Sequence, residues 1–212
     1  MTYATNQFSS FRLAIGPGVP SSPLSALLAL QRKEEPEVAI VFFEVAGDEL
    51  VAGLLDGRYD AGISLEGSDD PPLRCQPLWS ECMAVAMPLR CPLLTQAKLT
   101  VAELMDYPIF QWQAEICPLL EQRLTSLRTT GQPCMVQRVT SFEMMALWVA
   151  AGYGVGLSAQ SRIGRAYGCG IEMRPLADGP YEIVTHLQRP HSEANSAAER
   201  FERRALRVVV AG

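Results

Sequence analysis

Apolar positions in the first third of the chain switch between two spacings. Phe11 to Gly16 is a short apolar run ending in a Gly-Pro-Gly turn, which predicts a strand. Leu24, Leu27 and Leu28 then recur at helical spacing, with Ser21 or Ser22 as the cap and Pro23 at the first helical position. That stripe ends in the charged run Gln31 to Glu35, before Pro36. Val38 to Val45 is a run of apolar residues that suits a buried parallel strand. Gly47 or Asp48 opens a second helix with Leu50, Val51, Leu54 and Leu55 on one face and Gly57 as its stop. Tyr59 to Leu65 reads as a third strand. The order β-α-β-α-β predicts a parallel sheet with right-handed crossovers.

The alternation resumes after a loop at Gly67 to Pro72. Arg74 to Trp79 and Cys82 to Met87 read as two strands, Val101 to Met105 as a short helix, and Ile109-Phe110 as a strand edge. Ala114 to Arg128 is expected to be helical and Cys134 to Val139 extended. Thr140 is expected to open the next helix, through a capping box with Glu143, and Met145, Trp148, Val149 and Gly152 to line its inner face. Val155 to Leu157, Ile171 to Leu176 and Tyr181 to Arg189 read as strands, and Glu193 to Val209 as a final helix. Two α/β lobes fit this order better than one barrel, and no internal repeat is visible.

Composition narrows the function classes. With 48% hydrophobic and 19% charged residues, the 212-residue chain has the makings of a packed core and not of a disordered segment. A net charge of −5 provides no basic stripe for nucleic acid. Met1 to Ser10 lacks the apolar core of a secretory signal. The charge-free stretch Met144 to Ala159 is shorter than a membrane span and is interrupted by three glycines. A cytoplasmic protein without membrane contact is therefore expected. The cysteines at 75, 82, 91, 117, 134 and 169 form no C-x-x-C pair, and His186 and His191 are the only histidines. Neither a zinc site nor a disulfide framework is expected, and no metal or cofactor.

Motifs for catalysis are missing. Gly152-Tyr-Gly-Val-Gly156 has the wrong glycine spacing for a dinucleotide loop, and there is no P-loop and no Gly-x-Ser-x-Gly elbow. Asp69-Asp70 falls in a turn-forming loop. Arg200, Arg203, Arg204 and Arg207 share one face of the last helix and Phe201, Ala205, Val208 and Val209 fall on another, which reads as an amphipathic surface helix. No catalytic residue is assigned. Polar residues and glycines instead gather where strands end and helices begin: at Gly16 to Ser22, Ala46 to Asp48, Gln111 to Ala114 and Thr140 to Glu143. In open α/β sheets ligands bind outside the carboxyl ends of strands, where helix N-termini offer N–H groups to a polar anion.

Several segments, in order, resemble the effector-binding domain of LysR-type transcriptional regulators. They are the strand and helix from Arg12 to Arg32, Pro36, the run Leu55-Asp-Gly-Arg-Tyr-Asp-Ala-Gly62, and Pro77-Leu-Trp-Ser-Glu-Cys-Met-Ala-Val-Ala86. Cys91-Pro-Leu93 stands where the family has His-Pro-Leu, and Val149-Ala-Ala-Gly-Tyr-Gly-Val-Gly-Leu157 resembles its Val-Ala-x-Gly-x-Gly segment. The resemblance spans residues 11 to 209. It implies an α/β fold of two Rossmann-like lobes joined by crossing strands, like type 2 periplasmic binding proteins. Lobe I would be residues 1–80 plus 181–212, and lobe II residues 81–180.

The resemblance also implies a small-molecule effector, a carboxylate or an aromatic, bound between the lobes. The expected effector-binding residues are Gly18, Val19, Pro20, Gly47, Asp48, Gln111, Trp112, Gln113, Thr140, Ser141 and Glu143. Gly18 and Gly47 stand where the family often has Ser or Thr, which leaves backbone N–H groups, and Trp112 could stack on a flatter effector. Partners implied are a second copy of the chain, a tetramer in the full-length form, and DNA only through an N-terminal winged helix-turn-helix. This sequence begins almost at the first sensor strand and is expected to bind no operator as it stands. The alternative is a stand-alone solute-binding protein of the same fold. An enzyme on a similar scaffold would need an acid or base in the site, and only Asp48, Glu115 and Glu143 are titratable there, without a partner base.

Overall fold

A computed structural model of the chain describes residues 10–129, 134–191 and 196–210. The chain forms two compact units, one from residues 1–79 and 184–212 and the other from residues 80–183. It passes between them twice, once within each of the strands β4 (Leu73–Pro88) and β9 (Glu182–Pro190).

The first unit is built on β1 (Ser10–Ile15), α1 (Ser21–Glu34), β2 (Ala39–Glu44), α2 (Gly47–Leu55) and β3 (Ala61–Ser64), closed by β9 and α6 (Ala197–Val210). Its strands run in the order β2-β1-β3-β9, the first three parallel and β9 antiparallel. Phe11, Leu13, Leu27, Ile63, Leu187 and Phe201 fill its core, with the Phe11 and Phe201 rings 5.0 Å apart. β2 corrects the sequence reading. Among the described residues it is an edge strand that pairs only with β1, and it leaves Val41 and Phe42 exposed. An apolar run cannot by itself distinguish a central strand from an edge strand whose apolar face awaits a partner. The cap of α1 is also corrected. Pro20 holds the cap position, so Pro23 sits in the first turn, where a missing N–H costs nothing.

Three of the four arginines of α6 are held by the end of α1 and the residue that follows it. Arg204 meets Glu34 at 2.9 Å, Glu35 at 2.8 Å and the Gln31 side-chain oxygen Oε1 at 3.0 Å. Arg207 meets Glu34 at 2.6 Å, and Arg200 meets Glu35. The charged run Gln31 to Glu35, read from sequence as a helix end, is therefore one half of an ionic clamp.

The second unit contains the remainder of β4, then β5 (Ile109–Trp112), α3 (Pro118–Thr129), β6 (Val136–Val139), α4 (Phe142–Ala150), β7 (Val155–Ala159), α5 (Gln160–Arg165) and β8 (Ile171–Pro175). β6, β5 and β7 are parallel, and β4 runs antiparallel between β7 and β8. Ala84, Ala86, Phe110, Met145, Val149 and Ile163 are at its core.

Local chemistry explains the other departures. The two strands expected at Arg74 to Trp79 and Cys82 to Met87 are one, and the polar break Ser80-Glu81 is where the chain enters the second unit. α3 begins at Pro118, not Ala114, because the residue before a proline is kept out of the helical region. The expected start of the last helix at Glu193 lies outside the described residues. Gly152 does not line α4. It is exposed at φ +85°, in the turn that ends the helix. A Cβ on Gly154 would come within 2.2 Å of the Pro108 carbonyl oxygen, so the Gly-x-Gly pattern serves a tight backbone crossing.

Burial opposes the ionised form of Glu35, but hydrogen bonds from Arg200, Arg204 and Gln31 outweigh it and bring the carboxyl from 4.5 to about 2. A carboxyl lowered in the fold stabilises it above the unfolded value and loses that contribution as the pH falls towards the folded one. Glu35 should contribute about 3 kcal/mol at neutral pH, lost between about pH 4.5 and pH 2. Urea unfolding across that range should show a smaller pH dependence in Glu35→Gln than in the native chain, and equal slopes would refute the clamp.

Candidate functional site

The parallel strands of the second unit end together, at Trp112, Val139 and Ala159. The segments leaving these strands meet along this edge. The Gln113 N–H donates to the Val139 carbonyl at 3.0 Å, and the Trp112 indole N–H donates to the Thr140 carbonyl at 3.0 Å.

The indole bond explains a correction. Thr140 and Glu143 do not form the expected capping box. Ser141 is the cap of α4, its hydroxyl accepting from the Met144 N–H at 3.2 Å and its carbonyl from the Met145 N–H. The Thr140 carbonyl is engaged by Trp112, so the helix starts one residue later and Phe142, its first residue, turns into the core. The same T-x-x-E pattern does form a box at Thr100 and Glu103, where the Thr100 N–H donates to the carboxylate at 2.7 Å.

At the centre of this edge lies Glu115, with a side chain wholly shielded from solvent. Its carboxylate accepts from the Ser158 hydroxyl, the Ala159 N–H at 3.1 Å and Arg162 Nε at 2.5 Å. β7 is buried along its whole length, so the Ser158 hydroxyl needs an internal partner, and Glu115 needs donors. The Arg162 guanidinium lies 4.6 Å from the centre of the Trp112 ring and 5.9 Å from that of Phe142, within cation–π range of both. Beside it a pocket of about 510 Å³ opens between α4 and α5, lined by Phe142, Glu143, Ala146, Arg162, Arg165 and Ala166 among others.

Trp112, Gln113, Thr140, Ser141 and Glu143 thus share one edge with Glu115 and Arg162. Gln111 differs. It is buried, and its amide donates to Glu121 at 2.8 Å, which braces α3. Arg162 was not legible as a site residue, because Gln160-Ser-Arg-Ile-Gly-Arg165 carries no apolar stripe to announce a helix. The available signal was Ser158, a hydroxyl inside an otherwise apolar strand.

In the first unit Gly18, at φ +85°, and Val19 lead to Pro20 at the start of α1. Gly18 is buried, and Val19 packs on the core. Gly47 opens α2, and a Cβ there would lie 2.2 Å from Glu66 Oε2. Asp48 is exposed, and its carboxylate accepts from the Glu49 N–H at 2.9 Å. The space left by the missing hydroxyl at Gly47 is thus taken by the chain's own carboxylate, which the sequence did not reveal. Among the described residues no cluster of His, Cys, Asp and Glu could hold a metal ion, and no helix is long and apolar enough to cross a membrane.

Two α/β units, each with helix starts gathered at the carboxyl ends of its parallel strands, define a ligand-binding class of fold. Residues 6–209 match the model of the LysR substrate binding domain, and the chain belongs to that family. It is similar to the HTH-type transcriptional regulator AlsR of Bacillus subtilis (strain 168), with 28% identity over 126 residues, 58% of this chain and 42% of that regulator. Among solved structures it resembles the BenM effector binding domain with its effector benzoate, with a TM-score of 0.79 at 20% identity over 96% of this chain and 92% of that one. It also resembles the effector binding domain of QuiR in complex with shikimate, with a TM-score of 0.80 at 16% identity over 96% of this chain and 98% of that one. At such identities the structural likeness establishes the fold, that of type 2 periplasmic-binding-like effector domains. The sequence match to AlsR spans less than half of that regulator's length.

The position of the α4 cap is directly testable. Ser141→Ala should cost about 1 kcal/mol in urea unfolding, whereas Thr140→Ala should stay within about 0.5 kcal/mol of the native chain. The reverse order would restore the Thr140 cap.

Proposed function

We propose that this chain is the effector-sensing and dimerising part of a LysR-type transcriptional regulator. The single observation that carries this reading is the Glu115–Arg162–Trp112 array, an internally held cation laid on an aromatic face beside the start of a helix. A buried ion pair of this kind is weak evidence for stability alone, whereas a fixed guanidinium at the carboxyl edge of a parallel sheet suits a polar ligand. The effector contacts on this reading are Gly18, Val19, Pro20, Gly47 and Asp48 in the first unit and Trp112, Gln113, Thr140, Ser141 and Glu143 in the second, with Gln111 behind them. Support from relatives is of the same kind, since BenM and QuiR effector domains carry benzoate and shikimate. Effector binding would favour one conformation by its difference in affinity between states, and DNA would be reached through a helix-turn-helix domain of the full-length regulator, itself a tetramer.

A metabolite screen by thermal shift is the test. A ligand at a hundred times its Kd should add about 2.7 kcal/mol to stability. The shift should be lost in the double variant Trp112→Ala with Thr140→Ala. A shift that survives in that variant would move the site elsewhere.

Homodimerisation has its own support in Val41, 42% exposed, and Phe42, 54% exposed, on a strand that is at the sheet edge among the described residues. Equilibrium sedimentation at micromolar concentration should give a dimer for the native chain and monomer for Phe42→Lys. A native chain that stays monomeric would remove the dimer from this reading.

A further inference from the structure

We infer that the second unit carries a second ligand site, at the amino ends of its parallel strands, and that this site takes a small apolar molecule with one negative charge, which Arg90 recognises.

The place is set by how the chain enters the sheet. β5 is entered through Tyr107-Pro108, β7 through Gly152 to Gly154, and β8 through Gly170. β4 runs the other way and leaves at Pro88, beside Ile171, into a turn whose Cys91 N–H donates to the Pro88 carbonyl at 2.9 Å. α4 ends at this same edge, because it returns the chain from the end of β6 to the start of β7. Between these segments opens a cavity of about 610 Å³, within the range of small-molecule sites. The edge of Trp112, Val139 and Ala159, where α4 begins, lies at the opposite ends of the strands, so the two places are separate.

The lining fixes the class of ligand. Pro88, Leu89, Pro92, Ala150 and Val155 give it apolar walls. Gly152, at φ +85°, leaves it open, since a Cβ there would meet nothing within 4 Å. Arg90 is the one charged residue of the lining, and no carboxylate lines the cavity with it. Its side chain is exposed and makes no hydrogen bond or ion pair among the described residues. Glu172 of β8 pairs with Met87, and so projects from the face of the sheet opposite to that of Pro88 and Ile171. Tyr107 is half-buried in the lining, and its hydroxyl, without a partner among the described residues, is a second donor.

The carbonyl end of α4 does not reverse this preference. Its Leu147, Trp148 and Val149 carbonyls already accept from the Ala151, Tyr153 and Gly152 N–H groups, which leaves little there for a cation. An unpaired guanidinium beside a phenol hydroxyl can take an oxyanion in its planar fork, while the apolar walls remove the ligand's body from water. A second negative charge on the ligand would find no second cation in the cavity.

Isothermal titration calorimetry of the chain with octanoate, octanamide and suberate tests this, because the three share a chain length and differ in charge. Octanoate should bind at least about fivefold more tightly than either of the others. Arg90→Gln, at an exposed position, should bring octanoate to the level of octanamide and leave octanamide nearly unchanged. Ala151→Phe, at an exposed position of the lining, should weaken octanoate and octanamide alike by about tenfold, because it fills the cavity without altering its charge. No binding of octanoate, binding no tighter than that of octanamide or suberate, or an octanoate affinity unchanged in either variant would each overturn the inference. None of these outcomes bears on the effector-binding reading, whose residues both variants leave in place.

Discussion

A carboxylate withdrawn wholly from water must find its donors within the protein or give up its charge, and in the second unit that constraint falls on Glu115. The three donors it takes come from two adjoining places in the chain. Ser158 and Ala159 end β7, and Arg162 belongs to the first turn of α5. The loop after β5, the end of β7 and the start of α5 are thereby drawn to one point, and the rest of the edge is arranged around it. Trp112 lies three residues before Glu115 and is laid under the guanidinium, its indole N–H reaching the Thr140 carbonyl. That bond leaves Ser141 to cap α4 and turns Phe142 inward. One buried charge thus determines where two helices begin.

The first unit solves the same topological problem by other means. The carboxyl ends of its parallel strands carry no comparable array of buried ions among the described residues; its buried pair, Arg189 with Glu202, lies at the end of the antiparallel β9. The loop leaving β3 is held by Gln188, whose amide donates to the Ser64 hydroxyl at 3.0 Å and to the Glu66 carbonyl at 2.7 Å. The start of α2 is left as glycine, so the Glu66 side chain can occupy the space beside it. The heavy ionic work in this unit lies away from those carboxyl ends: α6 grips the end of α1 through Arg200, Arg204 and Arg207.

How far this was legible in the sequence depends on the range of the interaction. Periodicity within ten or so residues located nearly every strand and helix, because the apolar face of an element is written in its own sequence. It failed where the decision is made at a distance. Nothing within Val38 to Val45 reveals that β2 has one neighbour and not two. Nothing within Thr140 to Glu143 reveals that a tryptophan 28 residues earlier will claim the Thr140 carbonyl, so two identical T-x-x-E patterns gave one capping box and one false reading. The strand-end loops could be picked out from sequence, but Arg162 could not. Its place depends on Glu115, which precedes it by 47 residues.

The origin of that arginine's fixity also bears on what a ligand there could accomplish. Held by Glu115 and stacked on Trp112, the guanidinium is ordered during folding, so a ligand meeting it need not supply that order. For the same reason its contribution is nearly the same in every conformation the chain can adopt, provided the second unit moves as a body. A contact of equal strength in all states tightens binding and shifts no equilibrium. A guanidinium fixed in this way would therefore supply affinity alone. Any change of state must be driven by contacts that differ between conformations, and a side chain clamped on both sides cannot make them.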